Sequence, residues 1–417
     1  INLAPADLKK EGSFLDLPIA LGILTAIGTV SNNTINDFLI AGELSLDGTI
    51  KPIKGALSIA ICALENGIKN FILPVDNADE ASVIKNLNVF PANNLIDVIN
   101  HLNGTKKIDS HHVDLENIFN NPEKYEYDFC EVKGQESVKR ALEIAAAGSH
   151  SCLMIGPPGS GKTMLARRLP SILPPLTFEE ALEVTRIYSI AGCLPTKTPL
   201  ITKRPFRSPH HTISAVALTG GGKYPKPGEI SLAHYGVLFL DEIPEFDRKT
   251  LEAMRQPLED GNVTISRLNA SVAYPSKTTL ILAGNPCPCG NAFDPSKVCT
   301  CTPLQIKNYL GKLSGPLLDR IDIFIEILPV KYKELDDEAY GEKSETIRKR
   351  VIKARKIQLE RYKGLKIYSN SQLSTSAINR FCKLDGECKI LIKNAFEKLG
   401  LSARAYGRIL KVTRTIA

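Results

Sequence analysis

No stretch of the 417-residue sequence is apolar for long enough to cross a membrane. The longest apolar stretch near the start, Leu15–Val30, is broken by Asp16, Pro18 and two glycines, whereas a span needs about 20 consecutive apolar residues. No basic segment precedes it, so this stretch is not expected to be a secretory signal peptide. Internal repeats and low-complexity tracts are missing as well. So is a disulfide framework. Of ten cysteines, four cluster between 287 and 301, and the rest are scattered through apolar or helical segments, as with Cys62 and Cys152. That is the distribution of reduced thiols in a cytoplasm. Neither sign of charge dominates: the net charge of +7 is mildly basic, which suits a nucleic-acid partner without requiring one.

What is present is ordinary for a folded chain, with 43% hydrophobic and 23% charged residues. The length exceeds that at which one hydrophobic core keeps growing, so two or three domains are expected. The chain opens at Ile1 without a Met and stops at Ala417 inside a helical pattern, and is read as part of a longer protein. Residues 1–105 alternate helical and strand-like runs (PIALGILTAIG, FLIAGEL, ALSIAICALENG, NFILP), the pattern of a small α/β domain. Residues 106–128 are polar and read as a linker, with His111 and His112 as a solvated pair. From 129 to 330, strands and helices alternate as in a parallel sheet, and 331–417 is mostly helical. The basic run RKRVIKARKIQLERYKG in this last zone reads as a solvated face, with Glu345 and Glu360 in partial balance.

The sequence LMIGPPGSGKTMLARRL places a strand, a glycine loop and a helix in the order that phosphate binding requires. Gly156, Gly159 and Gly161, with Pro157, Pro158 and Ser160 between them, form a loop whose N–H groups turn inward at phosphate oxygens. The helix N-terminus adds partial positive charge. Lys162 would bridge the β- and γ-phosphates of ATP, and Thr163 would hold Mg²⁺. In GVLFLDEIPEF, four apolar residues make a buried strand that ends at Asp241, a second Mg²⁺ contact, and Glu242, placed as general base toward the attacking water. A third strand, TLILAGN, ends at Asn285, which can orient that water.

This order of motifs resembles the AAA+ ATPases, in which the Asn is the sensor 1 residue. The resemblance implies an arginine finger at Arg320 in SGPLLDRIDI, acting on a neighbouring subunit's site in a ring, expected to be a hexamer. It also implies a sensor 2 arginine at Arg404 in LSARAYGRIL, with Arg408 as its rival, and an adenine-holding segment at Val132, Gly134 and Gln135 in VKGQESVKRAL. The extra strand-turn-strand VTISRLNASVAYP before the sensor 1 strand, and the glycine-rich excursion at 220–222, resemble the pre-sensor hairpin and helix-2 insertion of magnesium chelatase motor subunits and MCM-type helicases. The runs RPFRSPHHTIS, NPCPCG and SGPLLDRID are most similar to the ComM/YifB family of magnesium-chelatase-like ATPases, and the likeness extends over essentially the whole chain. It implies a cytoplasmic DNA-remodelling motor, a branch-migration helicase in recombination during natural transformation. Lys223, Lys226, Arg267 and Lys277 lie in or beside the hairpins and are the expected DNA contacts, to phosphates without reading bases.

Residues 1–100 resemble the proteolytic domain of Lon, around its catalytic serine and lysine. Phe14 falls at the serine and Leu57 at the lysine, and neither side chain can be a nucleophile or a base. Ser13, Ser58 and Lys54 are near neighbours without the required register. A protease-dead front domain is therefore expected. Cys287, Cys289, Cys299 and Cys301 form two CxC pairs around a nine-residue loop. They are read either as a Zn²⁺ site or as a metal-free knuckle braced by Pro286, Pro288 and Pro303. Three rival readings remain beside the DNA motor: a metal-chelatase motor subunit, an active protease and a non-hydrolysing ATP switch.

Overall fold

The computed structural model describes residues 12–120, 125–222, 225–267, 270–330, 336, 341–365 and 367–417, without the side chains of 33, 120, 267 and 270. Lys223 and the turn residues Leu268 and Asn269 lie outside the described residues, as does the side chain of Arg267. The chain divides into two compact units. One comprises Ile1–Glu123, Leu176–Thr202 and Ile265–Val272, and the other Lys124–Pro175, Lys203–Thr264 and Ala273–Ala417.

In the first unit, the strands Phe38–Ile40, Asn70–Pro74 and Asn88–Ala92 form a parallel sheet in that order. The middle strand is NFILP, and its alternation serves both faces. Phe71 and Leu73 pack with Ala56 and Ala60 of the helix Ala56–Glu65. Ile72 packs with Leu17 and Leu21 of Asp16–Ala26 and with Val98 and Leu102 of Leu95–Leu102. The strand expected across FLIAGEL is two short strands, Phe38–Ile40 and Glu43–Leu44, and the second turns back to pair with Ile50–Lys51. The helix Phe178–Ala191 belongs to this unit too: the Gly55 N–H donates to the Ser189 carbonyl at 3.1 Å, and Arg186 Nε donates to Ser58 Oγ at 3.1 Å. The expectation of a solvated His111 is corrected. Its N–H donates to the Val89 carbonyl at 2.8 Å and its Nε2 lies 2.7 Å from Asp79 Oδ1, so the segment docks on the edge of the sheet, where the backbone groups of a terminal strand need partners.

The second unit is built on a five-stranded parallel sheet. We label its strands β1 (Cys152–Ile155), β2 (Phe206–Arg207), β3 (Val237–Leu240), β4 (Thr279–Gly284) and β5 (Ile323–Glu326). The order across the sheet is β5-β1-β4-β3-β2. All four side chains of β3 are fully buried, each contributing about 1.5–3 kcal/mol relative to exposure. Among its helices we label α1 (Glu136–Gly148), α2 (Lys162–Ile172), α3 (Ser344–Arg361) and α4 (Ala403–Ile416). Ile347 and Val351 of α3 join the core of the sheet. The basic run on α3 is more structural than a solvated face. Arg348 donates to the Ser171 carbonyl, Arg350 to Glu143 and Arg355 to the Ala146 carbonyl.

The two strands expected around the 268–269 turn are present, Asn262–Arg267 and Ala270–Pro275, and they pair with each other. At the base of this hairpin the Tyr274 hydroxyl donates to the Pro225 carbonyl at 2.8 Å. That bond ties it to the ribbon in which Gly220–Gly221 pairs with Lys226–Pro227.

Candidate nucleotide site

In a parallel sheet, all strands end on one edge, and ligands collect there. The sheet order makes β4 the neighbour of both β1 and β3, with Gly284 opposite Ile155 and Leu282 opposite Leu240. The loop after β1, the acidic pair after β3 and the Asn after β4 therefore meet at one point.

Gly156, Pro157, Pro158, Gly159, Ser160 and Gly161 form the connection between β1 and α2. Gly161 starts the helix at φ +86°, a conformation that L side chains rarely adopt. Lys162 is turned into this loop. Its Nζ donates to the Gly156 carbonyl at 2.8 Å, the Pro157 carbonyl at 2.9 Å and Asn285 Oδ1 at 3.3 Å. Burial pulls the Lys162 ammonium below the usual lysine range, and the negative charge of Asp241 and Glu242 opposes that shift. Ser160 Oγ is buried and has no hydrogen-bond partner among the described residues. An ammonium held only by carbonyl and amide oxygens, a helix N-terminus and an orphaned hydroxyl make a cradle suited to a polyphosphate.

Thr163 Oγ1 lies 2.5 Å from Asp241 Oδ2, so the two oxygens proposed for Mg²⁺ already face each other. Hard oxygen donors of this kind suit that ion. Glu242 stands at φ +51°, with its N–H donating to Asp241 Oδ1 at 2.9 Å. This sharp turn leaves the Glu242 carboxylate exposed to water and 3.5 Å from His211 Nδ1. His210 stacks on His211 with ring centroids 4.1 Å apart. The sequence reading gave neither histidine a role, although the HH pair in RPFRSPHHTIS was visible.

Val132 is buried, Gly134 follows at φ +62°, and Gln135 Nε2 donates to the Leu328 carbonyl at 2.7 Å, beyond the end of β5. Arg320 is folded onto its own chain: its guanidinium pairs with Glu259 and donates to the Pro316 carbonyl. Its backbone carbonyl accepts from Ser151 Oγ at 2.6 Å. The two arginines considered for sensor 2 both meet the turn that carries Arg320. Arg404 lies 3.5 Å from Asp319, and Arg408 lies 3.7 Å from Asp319 and donates to the carbonyls of Leu318 and Ile321. Nearby, fully buried His150 has Nδ1 2.8 Å from Asp322 and Nε2 2.7 Å from Thr415 of α4. Sequence reasoning did not single out Glu259, His150, Asp322 or Thr415.

Cys287, Cys289, Cys299 and Cys301 bring their sulfurs within 4.8 Å of one another. Backbone N–H groups of Asn291 and Thr300 pull the Cys289 thiol down to about 5. Among the expected DNA contacts, Lys226 is exposed in its ribbon. Lys277 instead holds its Nζ 5.9 Å from the Tyr235 ring centroid and 5.6 Å from that of Tyr368. In the first unit, Ser13 Oγ donates to Glu43, Ser58 accepts from Arg186, and Leu57 is fully buried.

Comparison with known families agrees with this geometry. The family described as magnesium chelatase, subunit ChlI, matches residues 128–335; its companions match 1–77 (subunit ChlI of Mg-chelatase) and 341–417 (subunit ChlI C-terminal). The competence protein ComM of Haemophilus influenzae is 44% identical over 419 residues, covering 100% of this chain and 81% of that protein. YifB of Escherichia coli is 43% identical, covering 100% and 80%. The magnesium-chelatase 38 kDa subunit of Cereibacter sphaeroides is 25% identical over 179 residues, covering 39% of this chain and 54% of its own length.

Proposed function

The chain belongs to the ComM/YifB family of magnesium-chelatase-like AAA+ ATPases, and from that premise we propose that it is an ATP-hydrolysing ring motor acting on DNA, with branch migration during natural transformation as its task. The observation that carries the ATPase reading is the meeting of Lys162, Thr163, Asp241 and Asn285 at one edge of the sheet. In this reading the loop amides and Lys162 bind the phosphates of ATP. Thr163 and Asp241 hold Mg²⁺, which when bound neutralises charge on the transferred phosphoryl group. Glu242, exposed to water, accepts the proton of the attacking water, and His211 fixes its carboxylate. Asn285 orients the same water. Arg320 acts on the site of the next subunit in a hexamer. Zinc is the metal we assign to the four cysteines, in a structural role.

The DNA reading draws on the paired hairpin and ribbon, on exposed Lys226 and on likeness to a protein named for competence. The buried Leu57 and the partners of Ser13 and Ser58 support a front unit without protease activity. The test is a branch-migration assay on a four-way junction. Wild type is expected to move the junction with ATP, and Glu242→Gln to bind it without moving it. No DNA stimulation of ATP hydrolysis and no junction binding at low salt would remove the DNA reading. Mass photometry with ATP tests the ring, and a monomer at every concentration would remove it.

A further inference from the structure

The four-cysteine knuckle starts where the catalytic Asn ends. Asn285 is followed at once by PCPCG, and the tight turn there is closed by Gly290, whose N–H donates to the Cys287 carbonyl at 3.0 Å. Cys287 Sγ lies 3.4 Å from Cys289 Sγ and 3.7 Å from Cys299 Sγ, and Cys289 Sγ lies 3.6 Å from Cys299 Sγ. Cys301 closes the group, its sulfur accepting from the Cys289 N–H at 3.4 Å. A disulfide would need about 2.05 Å between sulfurs. A tetrahedron with Zn–S bonds of about 2.3 Å has edges of about 3.8 Å. The three separations among Cys287, Cys289 and Cys299 lie near the second geometry and exclude the first, and the Cys301 sulfur lies within 4.8 Å of the others.

The knuckle meets the phosphate loop at two places. At its start, Asn285 Oδ1 accepts from Lys162 Nζ. At Gly290, φ is +83°, and a β-carbon would fall 2.5 Å from Cδ and 2.7 Å from Cγ of Pro158. The backbone of Gly290 thus rests directly on the Pro158 ring, an approach open only to glycine.

We propose that Zn²⁺ bound by Cys287, Cys289, Cys299 and Cys301 braces the phosphate loop through Gly290 and Pro158, so that nucleotide binding depends on the metal. Four thiolate bonds would fix a knuckle whose Phe293 and Val298 side chains are exposed. The fixed knuckle sets one wall of the loop and the position of Asn285 together. The brace rests on the ATP reading of that loop.

The test uses the whole chain, purified under reducing conditions. Zinc is measured by elemental analysis, and nucleotide affinity by titration with a fluorescent ATP analogue and Mg²⁺. We expect about one zinc per chain. Stripping with a zinc-selective chelator, then transfer into Mg²⁺ buffer, weakens nucleotide affinity by about tenfold, and added Zn²⁺ restores it. Cys299→Ser shows the same loss without a chelator. Gly290→Ala retains zinc and also loses affinity, which separates the contact with Pro158 from the folding of the knuckle. Zinc-free protein that binds nucleotide normally overturns the metal site. Stoichiometric zinc, with affinity unmoved by stripping and by Gly290→Ala, overturns the brace. Zinc-loaded protein that binds no nucleotide overturns the ATP reading and the brace with it.

Discussion

Arg408 donates from Nη1 to the backbone carbonyl of Leu318 at 3.0 Å, two residues before Arg320. The same guanidinium reaches the Ile321 carbonyl and Asp319. A planar fork that binds two carbonyls and a carboxylate fixes a turn more firmly than a flexible ammonium can. The last helix of the chain therefore holds the segment from which an arginine finger would project. Arg408→Ala is expected to lower ATP turnover by roughly 100-fold, the scale of a small misplacement of a catalytic group, while leaving nucleotide affinity intact. Steady-state turnover and nucleotide titration on one preparation check this. Loss of affinity without loss of turnover at saturation would instead favour a sensor 2 role.

Arg320 must leave Glu259 to act on another subunit. A partly exposed pair of this kind is worth about 0–1 kcal/mol, up to about a fivefold shift in population. Glu259→Gln is thus expected to raise turnover by a few-fold under oligomer-forming conditions, and Arg320→Ala to abolish that gain. The double substitution, measured against each single one, is the check.

Glu242→Gln is expected to reduce hydrolysis by about 10²–10⁴, the usual contribution of a positioned base, with ATP binding retained. His211→Ala should give a smaller loss, because His211 acts through the Glu242 carboxylate that it neighbours at 3.5 Å. Equal losses would place His211 in the chemistry itself.

How far the site was legible follows from where each partner lies in the sequence. The glycine loop, the VLFL strand with its Asp241–Glu242 end and the strand ending at Asn285 are local patterns, and each lies where its pattern placed it. Glu259, His150 and Thr415 were invisible because their partners are remote: His150 lies 172 residues from Asp322 and 265 from Thr415. Hydrophobic periodicity reports which face of an element is buried, and says nothing about which polar group waits on the other side. The Phe178–Ala191 helix lies inside the 129–330 stretch read as one parallel-sheet domain, yet it belongs to the first unit, since amphipathicity names no partner.

His150→Ala leaves the largely buried Asp322 without its imidazole partner, while Thr415 keeps Asn370 and the Lys411 carbonyl. Leaving a buried hydrogen-bonding group unsatisfied costs about 1–3 kcal/mol, so a loss of that size is expected in urea unfolding of the second unit. The transition of the first unit, followed separately, should not move.

Lys226→Ala and Lys277→Ala should part company in DNA binding. Removing one lysine–phosphate pairing lowers the slope of log affinity against log salt by about 0.7–0.9. Both lysines are exposed; Lys226 is expected to show that change in full, and Lys277, set against two tyrosine rings, to show a smaller one.

The helix Phe178–Ala191, which packs with the Ala56–Glu65 helix through Gly55 and Ser58, also bears on biosynthesis. The front unit lacks one of its own walls until that helix has been translated. At about 5–20 residues per second, the ribosome takes roughly 4–14 s to pass from residue 120 to residue 191. During that interval the Gly55 N–H and the Ser58 hydroxyl at the start of Ala56–Glu65 lack their partners in the nascent chain, while its apolar side can already pack on Phe71 and Leu73. The front unit is therefore completed only after part of the segment between residues 124 and 202 has been made, before any nucleotide can be bound.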